Sequence, residues 1–253
     1  MENVLDGQKY NTEKSTCINK ELFNPANSNL NWLSASDMKI QNSRSAEITY
    51  KNEETLIVNL RGDIIVTVDG KDYSVKHYDM LYIPIDTPFT VSHKGDEEGW
   101  LYLYRATGDV KYETYHADYE ACKKDDERIR YLNRKVVYKM FDVSENANKF
   151  MVGYTFYEDR TRAWPPHNHT DQEEVYSFIE GHGAMEVYKD DENKTFVPSV
   201  EVGDHITIPV LNYHPVFSHE KPLCFIWCIA GERYWVGDKN KDFMTAKVDK
   251  LTT

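Results

Sequence analysis

The chain has 253 residues, enough for one large domain or two small ones, and 40% of them are hydrophobic, enough for a sizeable core. A formal net charge of −12 excludes a broad phosphate-binding face, and with it nucleic acid as a partner. No apolar run reaches the roughly 18 residues of a membrane span, and the polar start MENVLDGQKYNTEKS lacks the apolar stretch of a secretory signal, so a cytoplasmic protein is expected.

Taken in chain order, the elements read as strands. DIIVTVDGKDYSV (63–75) alternates apolar and polar residues around VDGK, an Asp-Gly hairpin turn. DMLYIP (79–84) follows. Residues 115–130, YHADYEACKKDDERIR, are charged and lack strand alternation, so they predict a helical or irregular connector. Strand patterns resume at FMVGYTFY (150–157), GAMEVY (183–188) and DHITIP (204–209), and PLCFIWCIAGE closes the series. Cys224 and Cys228 in that last run read as small buried hydrophobes. With Cys17 and Cys122 they form no Cys-x-x-Cys pair, which fits a reducing compartment.

An internal repeat organises these strands. NLRGDIIVTVDGKDYSVKHYDMLYIPIDTPF (59–89) and FIEGHGAMEVYKDDENKTFVPSVEVGDHITIPVLNYH (178–214) share one order of strand, Gly, strand, hairpin, strand, Asp, strand and Ile-Pro. Gly62 corresponds to Gly181, Asp79 to Asp204 and Pro84 to Pro209. The fold class expected is all-β: two tandem jelly-roll barrels, the first over 1–110 and the second over 136–253, joined by a connector over 111–135.

WPPHNHTDQEEVYSFIEG (164–181) carries the chemistry. His167 and His169 are two apart, so in a strand they share a face. Glu174 is five further on and needs a turn before it, which TDQ supplies. His214 lies five residues past Pro209 and can complete the set. Three imidazoles and one carboxylate suit Zn²⁺, with Mn²⁺, Fe²⁺, Co²⁺ or Ni²⁺ also accommodated. Glu173 is expected to face solvent or to stand behind the ligands. His182, His205 and His219 read as surface residues, and His77, His93 and His116 follow no pattern. The corresponding positions of the first half are Ile48, Tyr50, Thr55 and Phe89, so that barrel is expected to hold no metal and to serve packing, pocket closure or oligomerisation. A homo-oligomer is the assembly expected.

These spacings resemble the two cupin motifs: His167, His169, Glu174 and Gly181 match the first, and Gly203, Pro209 and His214 the second. Leu211 stands where cupins often have Gly. WPPHNH, EEVY, YHPV, FIWCIAGE and NRKVVYKMFDV further resemble the 5-keto-4-deoxyuronate isomerase and 5-deoxyglucuronate isomerase family, over residues 55–245. The resemblance implies a metal-containing bicupin and an aldose-ketose isomerase acting on an anionic sugar: a deoxyuronate, a uronate or a sulfonated hexose. Such a reaction moves a proton between C1 and C2 through an enediol(ate), which a divalent cation stabilises. Glu174, Tyr176 and Tyr213 are the candidates lining the reacting centre, and Arg160 and Arg162 the candidates for the substrate's anionic group. The same ligand set also admits a cupin dioxygenase, and the fold admits a non-catalytic sugar binder.

Overall fold

The computed structural model describes residues 7–11, 19–41, 44–162, 166–190, 194, 196–234 and 243–245. Cys17 lies outside them. The first half contributes β1 (Lys9–Asn11), β2 (Lys20–Phe23), β3 (Leu33–Ile40), β4 (Ser45–Ile48), β5 (Glu53–Arg61) and β6 (Ile64–Val68). It continues with β7 (Lys71–Val75), β8 (Met80–Ile83), β9 (Phe89–His93), β10 (Gly99–Thr107) and β11 (Tyr115–Ala117). A sheet of order β11-β8-β5-β10-β3-β2 faces one of order β4-β9-β6-β7. The turn between β6 and β7 is the expected one: Asp69 and Gly70 both have positive φ, +48° and +76°.

The predicted connector is shorter and more ordered than its sequence suggests. Tyr115–Ala117 pairs with β8 as an edge strand. One helical turn, α1 (Tyr119–Cys122), is capped by Asp118, whose side chain accepts from the Ala121 amide at 2.8 Å. A 3-10 turn over Asp126–Arg128 then leads into the second half.

That half contains β12 (Ile129–Leu132), β13 (Lys135–Phe141), β14 (Phe150–Tyr157), β15 (His167–His169), β16 (Gln172–Glu180) and β17 (His182–Met185). Next come β18 (Ser199–Glu201), β19 (Asp204–Ile208), β20 (Val216–Ser218), β21 (Leu223–Gly231) and β22 (Phe243–Thr245). The large sheet has the order β1-β19-β16-β21-β14-β13-β12, and faces β18-β17-β20 and the β15-β22 pair. Its edge strand β1 comes from the other end of the chain, although the sequence groups residue 9 with the first barrel. Lys9 also reaches the Asp204 carboxylate at 2.7 Å. The architecture is a bicupin.

Three apolar clusters explain why the central strands are buried on both faces. Ile57, Ile64, Val66, Val91, Leu101 and Leu103 fill the first barrel. Tyr157, Tyr176, Ile206, Phe225, Trp227 and Ile229 fill the second. Alternate residues of the same strands, among them Leu56, Val58, Tyr104, Val175, Ile226 and Cys228, form a third cluster between the barrels. A side chain of opposite parity to the barrel lining therefore meets the other barrel, not water. Cys224 and Cys228 sit in this interface as free, buried thiols.

The internal repeat is visible as matching hydrogen bonds. Asp79 accepts from the amide of Lys76 at 3.0 Å, and Asp204 from that of Glu201 at 2.9 Å, each three residues upstream. Gly62 and Gly181 both have positive φ, +100° and +75°, and a Cβ on Gly181 would stand 2.0 Å from the Pro222 carbonyl.

Candidate metal centre

The site forms where β15, β16 and the loop after β19 meet inside the second barrel. β15 presents His167 and His169, and Thr170-Asp171 turn the chain into β16, where Glu174 and Tyr176 face the same interior. The loop after Ile208 is tied to β15 from both sides. The Leu211 amide donates to the His169 carbonyl at 2.6 Å, and Asn168 Nδ2 donates to the Leu211 carbonyl at 3.2 Å. Leu211 takes φ +67°, the left-handed conformation that favours Gly. The loop thus keeps the expected bend despite the departure in residue type. Asn212 holds it from within, donating through Nδ2 to the carbonyls of Pro209 and Val210 at 3.2 and 3.1 Å.

The result is a cluster. One ring nitrogen from each of His167, His169 and His214 lies within 4.8 Å of the others. Glu174 Oε2 stands 3.5 Å from His169 Nε2 and 3.2 Å from His214 Nε2. Donor atoms about 2.1 Å from one ion, at right to tetrahedral angles, are about 3.0–3.4 Å apart. His214 Nδ1 is engaged with the Asn212 carbonyl at 2.9 Å, which directs its Nε2 lone pair into the cluster. His169 Nε2, His214 Nε2 and Glu174 Oε2 are buried without a hydrogen-bond partner. Buried polar atoms are rarely left so, and convergent ones fit a cation. The four residues therefore suit a divalent metal ion.

Electrostatics agree with that use. Burial, then the neighbouring His214, His169 and Lys135, push the His167 pKa well down, so its imidazole is neutral. Burial raises the Glu174 carboxyl, but its contacts with His169 and His214 outweigh this and hold it at about 2. Tyr176 is pushed well up by burial and by Glu174, and so keeps its proton. Its ring centroid is 5.6 Å from that of His214.

Other sequence expectations meet a different environment. Arg160 and Arg162 line a separate surface cavity of about 530 Å³ with His182, Phe217 and His219; none of the four cluster residues lines it. Tyr213 pairs its backbone with Tyr188 and stacks on that ring at 5.5 Å. His182 and His219 are exposed, as read. His205 is not a surface residue: it is fully buried, 2.8 Å from Ser177 Oγ, with its ring 4.6 Å from Tyr102. Glu173 does not face solvent either, and accepts from the amides of Asn31, Trp32 and Leu33 at 2.6, 2.6 and 2.7 Å. Both corrections have one cause, since the outer face of this sheet packs on the first barrel. In that first barrel Ile48 and Phe89 are cross-strand partners and Tyr50 stands 6.4 Å from Phe89, so the corresponding positions do converge, as an apolar and aromatic group.

Comparison with known proteins places these features. A family model described as the KduI/IolB family matches residues 9–245. The 4-deoxy-L-threo-5-hexosulose-uronate ketol-isomerase of Bacillus pumilus is 27% identical over 209 residues, covering 78% of this chain and 74% of that protein. An IolB-like protein of Salmonella typhimurium LT2 superposes with a TM-score of 0.78 at 17% identity, over 94% of this chain and 97% of the other. Oxalate decarboxylase of Bacillus subtilis, a protein with Mn(II) centres, superposes at 0.64 with 14% identity, over 81% and 70%.

Proposed function

The chain belongs to the KduI/IolB family, and from that premise we propose that it is a metal-dependent ketol-isomerase of an anionic sugar, a deoxyuronate before other uronates or a sulfonated hexose. The observation that carries this reading is the convergence of His169 Nε2, His214 Nε2 and Glu174 Oε2 as buried atoms without hydrogen-bond partners, beside a neutral His167. The curated relative's activity agrees with it. His167, His169, Glu174 and His214 hold the ion, zinc first among the metals this donor set accepts. A divalent ion there supplies Lewis acidity for the carbonyl and neighbouring hydroxyl oxygens of an open-chain sugar.

The chain's own groups have distinct tasks. Glu174, ionised and committed to the ion, is unsuited to serve as a free base. Tyr176 stays protonated and offers a hydroxyl to the oxygen on which charge develops. Tyr176 and Phe225, stacked at 4.3 Å, belong to the apolar cluster that fills the barrel beside the site. Interconversion of the aldose and ketose forms by metal-loaded protein, with oxygen removed, is the test. His169→Ala is expected to lose bound metal and turnover together; turnover without metal would reject the mechanism.

A further inference from the structure

Isomerisation of a sugar acid needs a cation for the acid group, and the two arginines nearest in sequence line another cavity. Lys135 stands in a better place. It opens β13, two residues before Val137, which packs on the interior cluster of the second barrel. Residues two apart share a face of a strand, so Lys135 projects toward that interior. Its cross-strand partner is Tyr157, and its ammonium lies 5.6 Å from the centre of that ring. Tyr157 leads to Phe225 at 5.6 Å, Phe225 to Tyr176 at 4.3 Å, and Tyr176 to His214 at 5.6 Å. A continuous aromatic floor thus runs from the ammonium to the ligand cluster.

The environment of this lysine differs from that of Arg134 and Lys194. Arg134, next to it, turns outward to Asp159 at 2.9 Å and Glu158 at 3.4 Å. Lys194 is paired with Glu186 at 2.8 Å. Lys135 has no carboxylate partner among the described residues, and burial alone pushes its pKa down. A half-buried ammonium with no counter-ion is costly unless an anion arrives to meet it. The bland alternative is a lysine stem lying along Tyr157 with its head in water. That reading accounts for the ring contact but not for the inward face that Lys135 shares with Val137.

We propose that Lys135 is the substrate-charge residue of this site, pairing with the carboxylate at one end of a sugar acid whose carbonyl end is held at the His167, His169, Glu174 and His214 cluster. This rests on the isomerase reading given above. It commits the site to anionic sugars and assigns their orientation, acid toward β13 and reacting carbons toward β15.

Calorimetric binding separates the two claims. Zinc-loaded wild type, Lys135→Met and Lys135→Arg are each titrated with galacturonate and with its uncharged methyl ester, and zinc content and melting temperature are measured for each. Met replaces the aliphatic stem and Arg retains the charge. The expected result is about a tenfold or greater loss of galacturonate affinity in Lys135→Met, an unchanged ester affinity and unchanged zinc, with most of the loss restored in Lys135→Arg. An equal preference for acid over ester in wild type and Lys135→Met overturns the proposal, as does a wild type with no such preference. Binding that follows this pattern without any interconversion of sugar acids would overturn the isomerase reading and leave the charge assignment standing.

Discussion

Glu173 and Glu174 stand side by side on β16 and face opposite ways, one into the gap between barrels and one into the ligand cluster. The convergence of these residues was legible in sequence because cupin-type spacing fixes parity and turn: His167 and His169 share a face, and the turn at Thr170-Asp171 resets it before Glu174. The partner of Glu173 was not legible, because Asn31 lies 142 positions away and no local pattern announces it. Lys135 was hidden for a similar reason, as a single Lys at the start of a strand reads as solvated until its register with Tyr157 is known. Leu211 carries a prediction of its own. Holding φ +67° with a branched side chain costs roughly 1–2 kcal/mol relative to Gly. Leu211→Gly also gains unfolded-chain entropy, so the net stabilisation expected is about 0.5–1 kcal/mol in denaturant titration. A loss of stability would mean that the exposed Leu211 side chain matters more than its backbone.

At the scale of elements, β16 is anchored on its outer face by the Glu173 carboxylate, which closes three backbone amides of residues 31–33. Burial raises this carboxyl and the three amides oppose that rise. Gln offers one acceptor oxygen in place of two and turns an NH₂ toward backbone donors. Glu173→Gln is therefore expected to lower stability by about 2–4 kcal/mol while leaving the cluster of His167, His169, Glu174 and His214 in place. A change below about 0.5 kcal/mol would contradict the anchor. Asp79 does corresponding work for β8 and the connector, accepting from the Tyr119 amide at 2.9 Å and the Lys76 amide at 3.0 Å and meeting His116 at 3.0 Å. Burial raises its pKa, but these partners prevail and the net shift is downward. Its contribution is thus fully present above the unfolded carboxyl value of about 3.9 and is lost as pH falls through the lower folded value. Asp79→Asn is expected to flatten acid unfolding in that window, measured by denaturant midpoints at stepped pH. An unchanged acid slope would count against it.

For the whole molecule, the repeat in the sequence became two barrels with matching Asp turns, and the second brings three imidazoles together at the shared position. In the first, Ile48, Tyr50 and Phe89 occupy the place of His167, His169 and His214. What composition could not convey is that the two barrels share a buried face, which holds His205, expected at the surface, and Glu173, expected in solvent or behind the ligands, in the gap between them. The N-terminal β1, crossing to the edge of the second sheet, ties the ends of the described fold together. We propose above that this second barrel isomerises a sugar acid at a metal held by three histidines and Glu174. The most direct test is NMR of 4-deoxy-L-threo-5-hexosulose uronate incubated in D₂O, without oxygen, with protein of known zinc content. Conversion to the ketose, with solvent deuterium at the carbon that was the aldehyde C1, is expected and is absent from His169→Ala. No conversion of this sugar or of any uronate or sulfonated hexose by the metal-loaded protein would contradict it.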